Sequence, residues 1–185
     1  MRIHSNNQEG VPMKKRTQFI QIVTLAGVVM VVSLVAAGVS LAGGIVSVHG
    51  QSGHIELLNN LANTNQYYLG WGLDIDQKPG LYNWLHYSIP TMPGTKTRYL
   101  LVRYETGTPG NSADSMITAL HVFDGETRIY QRNSLVLTGG PTNTIIDMGE
   151  YKIIERGLGL TIGIGAGVEG MSHRMRIYAV WAEWQ

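Results

Sequence analysis

The chain has 185 residues, 23 of them glycine and none cysteine, with a formal net charge of +1. Its basicity is confined to the start, where residues 1–16 hold four basic side chains against one acidic, while the remainder holds ten against twelve. That balance excludes nucleic acid as a partner recognised through bulk charge, and the lack of cysteine excludes disulfides, thiol chemistry and a lipidated cysteine anchor.

Residues 1–12 are polar and unlike the opening of an export signal, whereas Met13-Lys14-Lys15-Arg16 reads as one, so translation is expected to begin at Met13. From Thr17 to Val48 run thirty-two residues without a charge. Within them Ile22 to Leu41 is a twenty-residue apolar core, long enough at about 1.5 Å per residue to cross a hydrocarbon layer of about 30 Å. The apolar region of a cleaved signal is usually shorter, about 7 to 15 residues. Against a retained anchor, Ser40-Leu41-Ala42 offers the small residues a signal peptidase requires, and Gly43-Gly44 ends a helix. Two readings of residues 13–44 therefore stand together, a cleaved signal peptide and a transmembrane helix holding the protein to the membrane through residues 17–44. Either places the rest outside the cytoplasm, secreted or membrane-anchored, because the basic cluster stays on the cytoplasmic side.

Residues 45–185 are enough for one domain with a single core. Helical periodicity is absent after residue 65, and period-two alternation predicts strands near 45–49, 53–58, 67–72, 83–89, 97–106, 115–124, 127–131, 134–138, 145–155, 158–168 and 174–184. Turn chemistry supports the breaks at Gln77-Lys78-Pro79-Gly80, Pro93-Gly94-Thr95, Thr108-Pro109-Gly110-Asn111 and 139–143. Asp124-Gly125 between two alternating runs is a hairpin signal, and Leu57 to Leu61 can be read as a helical turn. The fold class expected is all-β, a single antiparallel β-sandwich of jelly-roll-like form.

Two stretches carry the functional reading. In Gly157 to Val168 one face is apolar and the other almost wholly glycine. Glycines in a strand interior cost stability and pack nothing, so something is expected to close over that face: aromatics from neighbouring strands, with Tyr178, Trp181 and Trp184 of the last strand at hand, or a ligand or second subunit in a shallow trough. In Asn83 to Ile89, Leu85, Tyr87 and Ile89 share one face and Trp84, His86 and Ser88 the other. If the Leu85 side is core, Trp84 and His86 stand on an outer face, and with Trp71 and Tyr82 they make an aromatic platform of the kind that stacks on sugars. The alternative buries Trp84 and His86 beneath residues 67–78.

Asp74-Ile75-Asp76 resembles the opening of a calcium loop, but Lys78 stands where a third oxygen belongs, so these are expected to be solvated turn acids and no metal site is nominated. The histidines at 49, 54, 86, 121 and 173 lack metal-ligand spacing, and His121 is expected to face out of its strand. No nucleophile elbow, cofactor motif or catalytic residue is identified. A carboxylate-dependent hydrolase would need two acids across a cleft, and Asp74, Asp76, Asp124, Glu126, Glu150, Glu155, Glu169 and Glu183 supply too many candidates to choose between.

Taken together, Ile45-Val46-Ser47-Val48-His49-Gly50, Gly70-Trp71-Gly72 with Asp74, Lys78-Pro79-Gly80, Asn83-Trp84 with His86, Ile89-Pro90-Thr91 with Pro93, Thr118 to Gly125 and Gly157 to Gly163 resemble an uncharacterised bacterial family of small all-β domains of unknown function. The resemblance runs from about Ile45 to Trp184. It implies an all-β fold and carries no activity or site residue. The chain departs from it in its long N-terminal segment and its tryptophan-rich end. The leading functional expectation is a non-catalytic extracytoplasmic sandwich binding a glycan, envelope component or partner protein through Trp71, Tyr82, Trp84 and His86. The alternative is a self-assembling, envelope-associated structural protein, a homo-oligomer formed through the Gly157 to Val168 strand and the Trp184 end.

Overall fold

A computed structural model describes residues 43–62, 67–107, 115–166 and 173–185. The extension 1–12, the signal or anchor segment as far as residue 42, the turn expected at 108–111 and Glu169 lie outside them. The described strands are β1 (Gly44–His49), β2 (His54–Ile55), β3 (Tyr67–Leu69), β4 (Gly72–Gln77), β5 (Asn83–Ile89), β6 (Thr95–Thr106), β7 (Ser115–Asp124), β8 (Thr127–Arg132), β9 (Thr142–Ile154), β10 (Leu158–Ala166) and β11 (His173–Trp184). They form two antiparallel sheets. One has six strands in the order β3-β4-β11-β6-β9, with β1 sharing β11's edge with β4; the other has five, β2-β5-β10-β7-β8.

The pairings are nested. The β7–β8 hairpin turns at Asp124-Gly125, where Gly125 takes a φ of +57°, and outside it β6 pairs with β9, β5 with β10 and β4 with β11. Successive levels of this ribbon fall alternately in the two sheets. Leu85, Tyr87, Ile89, Leu158, Leu160, Ile162 and Ile164 of the five-stranded sheet join Leu73, Ile75, Leu100, Val102, Ile146, Met175, Ile177 and Val180 of the six-stranded sheet in one apolar cluster, each fully buried aliphatic contributing about 1.5–3 kcal/mol. The Tyr87 hydroxyl donates to the Gly50 carbonyl at 3.1 Å, tying β5 to the segment after β1. Burial pushes that phenol far above its ordinary pKa.

Four local expectations are corrected. The stretch 67–72, expected as one strand, breaks at Gly70-Trp71, and Asp74-Ile75-Asp76, expected in a turn, lies in β4: Leu73 and Ile75 are buried, and Asp74 is buried with them, 3% exposed, because Arg174 and Arg176 of the neighbouring β11 pair with it. Residues 134–138 make no strand. Leu135 is buried and Leu137 packs against the core, but the chain is crossing between sheets and meets β7 through the isolated bridge Leu137 to Ile117 and a Leu135 N–H bond to the Thr118 carbonyl. The stretch 53–58 pairs only at His54 and Ile55, and a short 3-10 turn follows at Leu58–Asn60.

Candidate functional site

On the outer face of the five-stranded sheet, the alternation that sends Leu158, Leu160, Ile162 and Ile164 inward leaves Gly159, Thr161 and Gly163 of β10 facing outward. β5 flanks this strip with Trp84, His86 and Ser88, and β7 flanks it with His121 and Phe123. Glu56 beyond β2 and Gly125-Glu126 of the β7–β8 turn complete an open trough of about 510 Å³. It spans four strands, a distance of roughly 14 Å at ladder spacing.

Glycine shapes the aromatic wall. β5 and β7 are separated by β10, roughly 9.6 Å from backbone to backbone, yet the rings of Trp84 and His121 lie 5.1 Å apart, tilted by 37°. A Cβ at position 163 would stand 2.8 Å from Trp84 Cζ3 and 3.0 Å from Ala119 Cβ, so only glycine lets the indole lean across β10 to meet the imidazole. Phe123 continues the wall, edge-on to His121 at 6.5 Å. Gly159 differs: a Cβ there would meet Phe123 Cβ at 3.6 Å, an ordinary contact. No described residue covers it, and it forms the open floor of the trough.

The polar groups are held in place. His86 Nε2 lies 2.9 Å from Glu56 Oε2, and His86 Nδ1 lies 3.0 Å from Thr161 Oγ1. A carboxylate can only accept, so the proton sits on Nε2, and in the neutral ring Nδ1 accepts the Thr161 hydroxyl proton. Having donated that proton, the Thr161 hydroxyl oxygen is left an acceptor, in a residue 9% exposed on the trough lining. His121 Nε2 lies 2.7 Å from Asn133 Oδ1. Its own backbone N–H and the Arg156 guanidinium hold the Glu126 carboxyl below the usual carboxylate range. No lysine or arginine lines the trough among the described residues.

Of the residues singled out in the sequence, the structure brings Trp84 and His86 together on one wall. Trp71 lies on the six-stranded sheet's side, in the β3–β4 turn, 5.6 Å from the ring of Tyr178 and under the Arg176 guanidinium. Tyr82 is 60% exposed just before β5 and does not line the trough. The strands of 67–78, β3 and β4, belong to the six-stranded sheet, and Trp84 and His86 line the trough on the other one. Tyr178, Trp181 and Trp184 sit on β11, so the ring over the glycine face is Trp84 of β5. Both edges of β10 are paired, leaving it a face but no free edge. Asp74, expected as a solvated turn acid, is instead buried against two arginines; Arg176 also bonds Glu105, which accepts from Tyr178. Among the described residues no cluster of histidine and carboxylate side chains could hold a metal ion.

Glu56, His121, Phe123 and Thr161 were not anticipated as parts of one site. Each has an outward position legible from alternation, but their meeting depends on β10 lying between β5 and β7, which no local pattern encodes.

No protein-family model matches the chain, and no curated protein matches it significantly in sequence. Solved structures resemble it at low identity. TmCBM61 in complex with β-1,4-galactotriose is 11% identical, covering 76% of this chain and 87% of that one, with a TM-score of 0.40. A cyclase from Fischerella sp. TAU is 11% identical, covering 74% and 87%, also at 0.40. CBM29_1, a family 29 carbohydrate-binding module from Piromyces equi, is 11% identical over 77% and 91%, at 0.33. Likeness at this level carries no inference about ligand or activity.

Proposed function

We propose that residues 45–185 form an extracytoplasmic, jelly-roll-like sandwich that binds a neutral oligosaccharide, such as a glycan of the cell envelope, in the trough on its five-stranded sheet and performs no catalysis. The observation that carries this reading is the indole leaning over Gly163 beside a histidine whose two ring nitrogens are already engaged. A pyranose offers an apolar C–H face to an aromatic ring and hydroxyls to fixed acceptors; Trp84 and Phe123 supply the first, Thr161, Ser88 and Glu56 the second. With Glu56 and Glu126 on the lining and no lysine or arginine among its described residues, the electrostatics favour an uncharged sugar over an acidic one.

Titration calorimetry of neutral and acidic oligosaccharides tests it. Neutral chains should bind, and Trp84→Ala should weaken binding by about 2 kcal/mol or more, roughly thirtyfold. Failure of every neutral glycan, or unchanged binding by the variant, would overturn it. The hydrolase reading retains one observation in its favour, since Glu56 and Glu126 share the trough. Glu126 is held ionised, the wrong direction for a general acid, so bound oligosaccharide should be recovered uncut; new reducing ends would favour hydrolysis.

A further inference from the structure

The opposite face of the domain carries a second surface of different chemistry. On the outer side of the six-stranded sheet, Ile45 of β1, Trp181 of β11, Leu101 and Tyr99 of β6 and Ile145 of β9 line an apolar concavity of about 380 Å³. Ile45 is 73% exposed and Ile145 61%. Glu183 is the one charged side chain on its lining among the described residues. A contiguous apolar patch with aromatic members marks a surface that something covers.

We infer that this face rests on the lipid bilayer surface, with the glycan trough turned away from it. The inference rests on the reading of residues 17–44 as a retained anchor. Covalent geometry then limits the possibilities. Ile45 follows residue 44 directly in the chain, and three extended residues reach at most about 11 Å, while the headgroup layer on each side of the hydrocarbon core is only about 5–7 Å deep. A domain whose first strand begins at Gly44 has no linker with which to stand clear of the membrane, and the residue delivered to the lipid boundary is the most exposed member of the patch. Tyr99 and Trp181 are the ring types that settle at that boundary, apolar in body with a polar handle. The sequence of the anchor and the patch thus point at the same solvent. A second copy of this chain would also cover an apolar face, but covalent reach does not place one there.

The absence of cysteine makes a direct test possible. The full chain is prepared as Ile145→Cys and, for comparison, as Gln131→Cys on exposed β8 of the other sheet; each is labelled with an environment-sensitive fluorophore and reconstituted into phosphatidylcholine vesicles, and the N-terminus is read by mass spectrometry. With the anchor intact, the probe at 145 should shift to the blue and be quenched by lipids brominated on their acyl chains, and the probe at 131 should remain in water. An intact N-terminus with an aqueous probe at 145 would overturn the docking and leave the anchor standing. A probe at 145 that is shielded from water, unquenched by brominated lipid and sensitive to protein density would assign the patch to a second copy. A protein beginning at residue 43 would overturn the anchor and the docking together.

Discussion

Gly159 separates what the fold needs from what the trough needs. Replacing it with valine adds a β-branched side chain to the middle of a central strand whose backbone at 159 has no positive φ. The new Cβ meets Phe123 Cβ at 3.6 Å and the Tyr87 carbonyl oxygen at 4.0 Å, so the Cβ itself makes contact without clash. Removing an interior strand glycine stabilises by about 0.5–1 kcal/mol, and the cross-strand pair with Phe123 adds about 0.2–1 kcal/mol. Together these give about 1 kcal/mol, or about 3–4 °C in Tm for a domain of this size. The same methyl groups project into the floor of the trough, where a sugar ring would lie. Gly159→Val should therefore melt higher by differential scanning calorimetry and fail to bind the oligosaccharide that the wild type binds. A variant that binds as well as wild type would refute the trough as the site; one that melts lower would refute the open floor.

Gly163→Ala should do the reverse, because its Cβ would stand within 3.0 Å of both Trp84 and Ala119; overpacking of that kind costs about 1–3 kcal/mol, and the tryptophan near-UV circular dichroism should change as the indole is lifted from β10. Asp74→Ala removes the shared partner of Arg174 and Arg176 and should lower stability by about 3 kcal/mol, the lower end for breaking a buried pair since both guanidiniums keep some solvent; a shift in the urea midpoint worth less than about 1 kcal/mol would mean the network behaves as a surface pair. Acid should weaken the fold with a defined sign. Burial acts upward on Asp124, but the backbone N–H groups of Arg156, Glu155 and Gly157 outweigh it and hold the carboxyl below its ordinary 3.8; the Tyr178 hydroxyl, against burial and with help from Arg176, holds Glu105 below its ordinary 4.5. Their stabilisation is complete above those ordinary values and is lost as pH falls from about 4.5 through the lower folded ones, so urea midpoints should be flat from pH 7 to about 5 and then fall, less steeply in Asp124→Asn; a fall already under way at pH 6 would implicate other groups.

How much of this was legible in the sequence depends on the range of the interaction. Strands with a clean alternation, such as Asn83 to Ile89 and Ser115 to Asp124, stand where period two put them, since the side-chain period alone decides which face is buried. β4 was misread because two aspartates look like a solvated loop until two arginines a hundred residues away are placed beside them. The same limit governs the site. Trp84 and His86 were recognisable as an outward pair, but Trp71, close to them in sequence, belongs to the other sheet, and the true neighbours His121 and Phe123 come from β7, across β10.

The glycine-rich face of β10 shows why a pattern can be conspicuous and still ambiguous. Sequence offered either aromatic cover or an open trough as alternatives, and the structure holds both: aromatic cover at Gly163, where an added Cβ has no room, and open space at Gly159, where it has. The two are coupled, because the ring leaning over Gly163 is what gives the trough its wall. Bulk added at 163 should therefore damage binding by moving Trp84, and bulk added at 159 by occupying the ligand's place. The first loss should come with a lower melting temperature and the second with a higher one. A residue four positions away on the same strand thus distinguishes a misplaced wall from a filled floor, using two substitutions and one binding assay.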